Sequence, residues 1–459
     1  MSKPVFRIGD GAGFSGDRLD APIPVVDTLV AAGGPAALMF EVLAERTLAL
    51  AQLSRRGDPA HGYEPMLEAL LRPILEKCVD NGIPIIGNFG AANPRGAAVA
   101  IHRVARELGL QGLRVGIVEG DDVRGIVPPN EMELMDADKP IDLATTEVIA
   151  ANAYLGAAPI AEALSRGAHV VATGRVADPA LALGPLMHHF GWREDDWDRL
   201  AAGTLVGHLL ECGAQVTGGY FADPGWKDVP DPAGIGFPIA EVSEDGTAII
   251  TKAADTGGVV SPRTVKEQIL YEVHDPSGYL TPDVVLDITE VSVEAVGRDR
   301  VRVSGARGRP RPESLKVTVS VDGGWLGEGE ISYAGPNAFA RARLAADTVR
   351  ERLRRLGFDC PMRADLIGVA SVFDDDGGTM SLQAPRPNYP DVRMRFAIKT
   401  SDRAEAERAG REVLALYCCG PASGGGVRWG VTSRVNTGSF LVARDRVVPM
   451  VSVVGDNEI

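Results

Sequence analysis

Five short apolar runs mark the first part of the chain: Pro4–Ile8, Ala36–Phe40, Ile83–Gly87, Arg114–Val118 and His169–Thr173. Near-continuous apolar character over so short a stretch is the pattern of a strand buried on both faces. Helix-patterned stretches separate them, near Val25–Ala32, Val42–Leu53, Pro65–Asn81, Gly96–Leu108 and Pro159–Arg166. Gly82 and Gly109 stand where helix C-caps belong, and Asn93-Pro94 sets a cap and a first-turn proline ahead of a helix. Strands alternating with helices predict an α/β fold, a parallel sheet covered by helices on both faces.

The texture changes at Asp223–Pro238, where Asp223-Pro224-Gly225, Pro230-Asp231-Pro232 and Phe237-Pro238 make a turn-rich connector. A domain boundary is placed there, giving an α/β domain over 1–225 and a smaller α+β domain over 226–459. In the second part, Ile239–Val242 and Ala248–Lys252 flank Glu244-Asp245-Gly246, a hairpin signal. Two more hairpin-like pieces follow, Val284–Val303 turning at Gly297–Asp299 and Leu315–Ser332 turning at Asp322–Gly324. Helices are expected over Ala338–Leu356 and Asp402–Cys418, and strands over Ala364–Ser371 and Val392–Thr400. The glycine-rich Gly420–Gly430 reads as a mobile loop, either a lid or a linker.

Composition narrows the class. The net charge is −15 and no lysine or arginine block stands out, so neither nucleic acid nor an anionic membrane is an expected partner. No apolar run is long enough to span a bilayer, and Met1–Phe6 lacks a leader pattern, so a cytoplasmic protein is expected. The five cysteines form no C-x-x-C and are odd in number, which argues against a disulfide framework or a thiolate zinc site. There is no G-x-S-x-G, no G-K-[ST] and no H-E-x-x-H. Neither a metal nor a cofactor is expected.

Candidate chemistry sits at the strand ends. In open parallel sheets ligands bind outside the carboxyl ends of the strands. After the first run comes Gly9-Asp10-Gly11 with Gly13, Ser15, Asp17 and Arg18; after the second, Glu41. After the third comes Asn88 with Gly90 and Asn93; after the fourth, Glu119. After the fifth come Arg175 and Asp178. Capping explains many polar residues in such loops, but Glu41 stands directly on an apolar run. Glu41, Asn88 and Arg175 are expected to face one pocket. The Gly11–Gly16 loop offers free N–H groups for an anion. It matches G-x-G-x-x-G, but Pro22 and Pro24 delay the helix a dinucleotide fold requires. Thr256-Gly257-Gly258 before a helix is a second anion-site candidate. His208 and Glu211, three apart on one helix, read as a surface pair.

Several long motifs in one order carry a resemblance: G-A-G-F-S-G-D-R (Gly11–Arg18), F-E-V-L-A-E-R-T (Phe40–Thr47), G-N-F-G-A-A-N-P (Gly87–Pro94), A-T-G-R-V-A-D-P-A-L (Ala172–Leu181) and G-H-L-L-E-C-G-A-Q-V-T-G-G-Y (Gly207–Tyr220). They resemble the acyclic terpene utilisation protein A (AtuA) family over most of the chain. The resemblance implies a role in the breakdown of acyclic terpenoid acids, whose intermediates are usually coenzyme A thioesters. Some relatives continue into a small ferredoxin-like domain. This sequence is expected to end before one, with a separate ferredoxin-like partner chain as a further expectation.

The resulting expectation is a catabolic enzyme, a lyase of the hydro-lyase type or an isomerase. It would act on a small organic acid or acyl-CoA by general acid–base chemistry. Glu41, Glu119 and Asp178 are the candidate catalytic carboxylates. Gly11, Gly13, Ser15, Asp17, Arg18, Asn88, Gly90, Asn93, Arg175, Gly257 and Gly258 are the candidate substrate-binding residues. A homo-oligomer is expected. The alternatives are a non-catalytic subunit assembling with the ferredoxin-like chain, or a dinucleotide-dependent oxidoreductase.

Overall fold

A computed structural model of the chain describes residues 4–128, 131–135, 141, 143, 147–375, 378–380, 389–456 and 458. It forms two compact units, Met1–Ser320 with Thr437–Ile459, and Val321–Asn436. The turn-rich Asp223–Pro238 lies inside the first unit.

The chain begins β1 (Phe6–Asp10), α1 (Pro22–Ala32), β2 (Ala36–Phe40), α2 (Glu45–Gly57), α3 (Leu67–Leu71), α4 (Leu75–Asp80), β3 (Ile85–Gly87), α5 (Pro94–Glu107) and β4 (Val115–Glu119). It continues through β5 (Glu133–Leu134), β6 (Val148–Ala153), α6 (Ala158–Ser165), β7 (Val170–Thr173), α7 (Ala180–Phe190) and α8 (Trp197–Leu210). Next come β8 (Pro238–Val242), β9 (Ala248–Lys252), α9 (Pro262–Leu270), β10 (Tyr279–Leu280), β11 (Val285–Asp287), β12 (Ser292–Gly297), β13 (Arg300–Ser304) and β14 (Arg307–Arg309). The remaining elements are β15 (Ser314–Ala334), α10 (Ala338–Arg355), β16 (Met362–Ile367), β17 (Asp391–Thr400), α11 (Arg403–Leu414), β18 (Gly425–Ala443) and β19 (Met450–Val454).

The main sheet of the first unit has ten strands in the order β12-β13-β9-β8-β1-β2-β3-β7-β4-β19. Its middle, β1-β2-β3-β7-β4, is parallel throughout. The flanks are antiparallel: β8 pairs with β1, and β19 with β4. The sheet is therefore mixed, which corrects the expectation of a parallel one. Antiparallel strands need no helical crossover, so a late hairpin and the last strand can join and cover the edges that β1 and β4 would leave open. Helices α1, α3 and α5 contribute Val25, Leu70 and Ile101 to a core with Phe40, Ile85 and Ile117. Helix α6 packs on β4 and β7, and α7 on β1 and β2. Asn93 accepts the Gly96 N–H at 3.0 Å to cap α5, and Gly82 and Gly109 take the left-handed angles their positions require.

One feature of strand order places the site. β4 precedes β7 in the chain but lies outside it, so the connection leaving β3 skips a place that β7 later fills. The direction of winding reverses between β3 and β7. Open α/β sheets take their ligands outside the carboxyl ends of strands at such a reversal.

In the second unit the order β15-α10-β16-β17-α11-β18, with strands arranged β16-β17-β15-β18, is the βαββαβ ferredoxin-like arrangement. Ile331, Val349, Phe396 and Val413 form its core. The hairpin expected at Asp322–Gly324 is not a turn. β15 runs through it as one strand, with Gly324 at φ 73° and its N–H bonded to Asp322 at 2.9 Å. Most of Gly420–Gly430 is likewise strand, since β18 starts at Gly425. Among the described residues no helix is long and apolar enough to cross a membrane.

Candidate active site

Asp10 closes β1, and Glu41 follows β2 directly. Asn88 follows β3, while Arg175 and Asp178 follow β7. Asp10, Glu41, Asn88 and Arg175 are buried. The structure links three of these strand ends. The Asn88 amide donates to Glu41 Oε1 at 2.9 Å and accepts the Val42 N–H at 2.7 Å. Glu41 Oε1 also accepts the Leu43 N–H at 2.9 Å. Arg175 donates to the Leu43 carbonyl and, at 2.7 Å, to Asp178 Oδ1. The structure thus brings the strand ends of Glu41, Asn88 and Arg175 together.

The arginine is held from several sides. Its guanidinium lies over the Tyr154 ring, 4.1 Å from the centroid. The Tyr154 hydroxyl donates to Glu45 Oε1 at 2.6 Å, and the Lys316 ammonium covers the ring at 4.7 Å. Asp121 fixes the loop itself, accepting the Arg175 N–H and the Asn152 amide, each at 2.8 Å. The end of α8 closes another side. His208 Nδ1 and Glu211 Oε1 are 3.1 Å apart and both residues are buried, which corrects the reading of a surface pair. Helix α8 is apolar nearly all round, and such a helix is buried. The glycine-rich loop seats on this helix end: a Cβ on Gly13 would stand 2.4 Å from the Gly213 nitrogen.

Electrostatics follow from the crowding of acids around few cations. Burial pushes the Glu41 carboxyl up, while Arg175, the Leu43 N–H and the Asn88 amide pull it down without cancelling the rise. Burial raises Asp178 too, helped by Glu41, Glu211 and Glu45 and opposed by Arg175. Burial would raise Glu45, but Arg175, the Tyr154 hydroxyl and Lys316 hold it down at about 2. Asp121 is pushed up to about 6 by burial. Burial disfavours the His208 imidazolium, yet Glu211 and the backbone at Gln268 and Ile269 prevail and raise it. Among the described residues, five buried polar atoms of this cluster find no hydrogen-bond partner: Asp10 Oδ2, Asn152 Oδ1, Arg175 Nε, His208 Nε2 and Glu211 Oε2. Native proteins leave few such atoms, and a cluster of them marks a place where a ligand or water belongs.

Other expected residues lie differently. Glu119 pairs with the exposed Arg95 at 2.7 Å, away from this cluster of contacts. Asn93 is a helix cap that also donates to the carbonyls of Pro59 and His61. Gly90 lies against the Thr173 carbonyl, and its N–H bonds that oxygen at 2.9 Å. In the glycine-rich loop the Gly11 N–H bonds the Met39 carbonyl, and the Gly13 N–H bonds Asp17. The loop does not open into a helix, since α1 starts at Pro22. The Ser15 hydroxyl bonds Glu64, and Arg18 turns to Asp20 and the Ile235 carbonyl. The N–H groups of Gly257 and Gly258 are taken by the carbonyls of Gly234 and Pro230. Among the described residues no group of three or more His, Cys, Asp or Glu side chains is arranged to hold a metal ion. A cavity of about 280 Å³ lined by Phe6, Pro35, Cys78 and His169 lies at the amino ends of the parallel strands, not at the cluster.

The sequence points to Asp10 and Glu45 after the first two strands and to Glu211 beside His208 without assigning any of them to the site, and it gives no sign of Tyr154. Asp10 gives the same signal as Glu41, an acid directly on an apolar run. Tyr154 lies just past β6, a strand the sequence reading did not identify.

The family model for acyclic terpene utilisation family protein AtuA matches residues 6–453. No curated protein and no solved structure matches the chain.

Proposed function

The chain belongs to the acyclic terpene utilisation family AtuA, and from that premise we propose that it is an enzyme acting on a small branched organic acid or its coenzyme A ester. The reaction class is hydration, dehydration or isomerisation next to the carboxyl or thioester carbonyl. The observation that carries this reading is a buried arginine bonded to Asp178 and lying in the field of Glu41, beside polar atoms that find no partner among the described residues.

Hydration of a double bond conjugated to a carbonyl needs three things. A base takes a proton from water as its oxygen bonds the β-carbon. A cation holds the charge building on the carbonyl oxygen. An acid then delivers a proton to the α-carbon. Glu41 suits the base, because burial raises it while three partners favour its ionised form. Arg175 suits the charge, its Nε having no partner among the described residues. Asp178 suits the acid, since burial raises it and its side chain, 32% exposed, can recover a proton from water. Run backward, the same steps dehydrate. Moving a proton between two carbons isomerises.

Thermal-shift titration with coenzyme A, NAD, short branched unsaturated acids and their coenzyme A esters tests the proposal. Stabilisation of the wild type by an acid or acyl-CoA, abolished in Glu41→Gln, supports it. Stabilisation by NAD alone, or by none of these, contradicts it.

A further inference from the structure

Helix α8 carries three buried side chains whose polar ends the fold does not use. Thr204, His208 and Glu211 are 1%, 2% and 8% exposed. Four and three residues apart, they share one face of the helix. Glu211 Oε1 lies 3.1 Å from His208 Nδ1, which sets a proton on that nitrogen and leaves Nε2, on the far side of the ring, for another group. Among the described residues Thr204 Oγ1, His208 Nε2 and Glu211 Oε2 find no hydrogen-bond partner. A helical threonine can return its hydroxyl to the carbonyl one turn back. Thr28 and Thr348 do so in this chain, at 2.7 and 2.6 Å, and Thr204 does not.

The same stretch of helix is seated against the candidate site on two sides. A Cβ on Gly207 would stand 2.5 Å from Pro179 Cα, so the α8 backbone lies against the residue that follows Asp178. Just past the helix, a Cβ on Gly213 would stand 3.2 Å from the Gly13 nitrogen and 3.4 Å from Asp17 Oδ2. Gln268 donates to the His208 carbonyl at 3.1 Å, and the Tyr279 ring centroid is 5.7 Å from that of the imidazole. Glu211 also lies in the fields of Glu41 and Asp178.

The chemistry of the open atoms selects what they take. With Glu211 on the ring's other nitrogen, Nε2 offers a proton. Thr204 Oγ1 can give or accept one. Across one helical turn the two Cβ atoms are about 5–6 Å apart, a gap that one oxygen can bridge. A carboxylate is a poor fit, because Glu211 already places an open carboxylate oxygen beside the ring. A hydroxyl fits: its oxygen accepts from Nε2–H and its own O–H donates to Oγ1. We propose that Thr204 and His208 bind a hydroxyl of the ligand, so that the site takes a hydroxy acid or its coenzyme A ester, the class that hydration yields and dehydration consumes. Burial disfavours the His208 imidazolium, but Glu211 and the backbone at Gln268 and Ile269 raise it, which agrees with a proton on Nε2. The inference rests on the acid–base reading of the site and names its substrate class. Glu211 is a positioning residue that acts through His208.

Thermal-shift titration with branched β-hydroxy acids and the same acids lacking the hydroxyl, free and as coenzyme A esters, tests it. His208→Asn sets an amide nitrogen where Nδ1 stands, keeping the Glu211 bond and emptying the Nε2 position. His208→Gln sets an amide nitrogen where Nε2 stands. Thr204→Val removes the hydroxyl and keeps the shape. The wild type should bind a hydroxy member about tenfold more tightly than its counterpart. That preference should vanish in His208→Asn and Thr204→Val and persist in His208→Gln. No preference in the wild type, as when a permanent water fills the gap, overturns the inference. So do a preference that survives in His208→Asn, equal behaviour of the Asn and Gln variants, and failure of every hydroxy member to bind. A lost preference with Glu41-dependent turnover intact sinks the hydroxyl subsite alone. The expected binding pattern without turnover sinks the acid–base chemistry and leaves the subsite standing.

Discussion

Replacing Arg175 with alanine tests how the cluster of acids is held. The guanidinium is buried, bonded to Asp178 at 2.7 Å and to the Leu43 carbonyl, and stacked on Tyr154. Taking one partner from a buried ion pair costs about 3–5 kcal/mol. Asp178 is 32% exposed, so the low end, about 3 kcal/mol, applies here. Loss of the stacking adds about 1 kcal/mol. With an unfolding entropy of about 2.1 cal/mol/K per residue over the roughly 340 residues of the first unit, about 4 kcal/mol lowers Tm by about 6 °C. The loss depends on pH. Without the arginine, buried Glu41 and the partly exposed Asp178 and Glu45 are left as neighbouring like charges, and at pH 5 they can take up protons and relieve part of the cost. Differential scanning calorimetry at pH 5 and pH 8 should show the larger Tm drop at pH 8. An equal drop at both values would refute the electrostatic role and leave only packing, and no drop would remove Arg175 from the framework of the site.

Three other outcomes are expected. Gly13→Ala sets a Cβ 2.4 Å from the Gly213 nitrogen and 2.5 Å from the Cys212 carbonyl carbon; neither is a movable side chain, so urea unfolding should show a loss of about 1–3 kcal/mol, whereas Gly57→Ala, with nothing within 4 Å, should be near neutral. His208 has its folded-state value raised above the ordinary one, so its stabilisation is complete below that ordinary value and disappears as pH rises through the folded one; the stability gap between wild type and His208→Gln should be wider at pH 6 than at pH 9, and a gap independent of pH counts against the His208–Glu211 ion pair. Glu119→Gln loses only a surface pair with Arg95 and should cost less than about 1 kcal/mol, with ligand-induced stabilisation unchanged; loss of that stabilisation would return Glu119 to the site.

The site was partly legible in the sequence because its strands announce themselves. β2 is Ala-Ala-Leu-Met-Phe, buried at every position, so the glutamate that follows has no helical or capping reason to be there. The same logic applies to Asn88 after Ile-Ile-Gly. What local pattern cannot carry is the order of strands. That β7 inserts between β3 and β4, and so sets Arg175 beside Asn88 and Glu41, is a tertiary fact. Glu119 shows the other side of this limit: it has the same local signature as Glu41, yet its strand lies one place further out, pairs with β19, and its carboxylate meets Arg95. Asp322–Gly324 looks like a hairpin turn, but pairing with β17 beyond it keeps β15 extended. Tyr154, Glu45 and Lys316 come from three separate segments whose meeting around one aromatic ring leaves no trace in spacing.

The most direct measurement is deuterium incorporation. The protein is incubated in D2O with a panel of branched, α,β-unsaturated acids and their coenzyme A esters, and products are read by mass spectrometry. The expected result is uptake of deuterium, with or without added water, into at least one panel member by the wild type and none by Glu41→Gln. No uptake into any member that the protein binds, or equal uptake in the variant, would contradict a strand-end acid–base site built on Glu41 and Arg175.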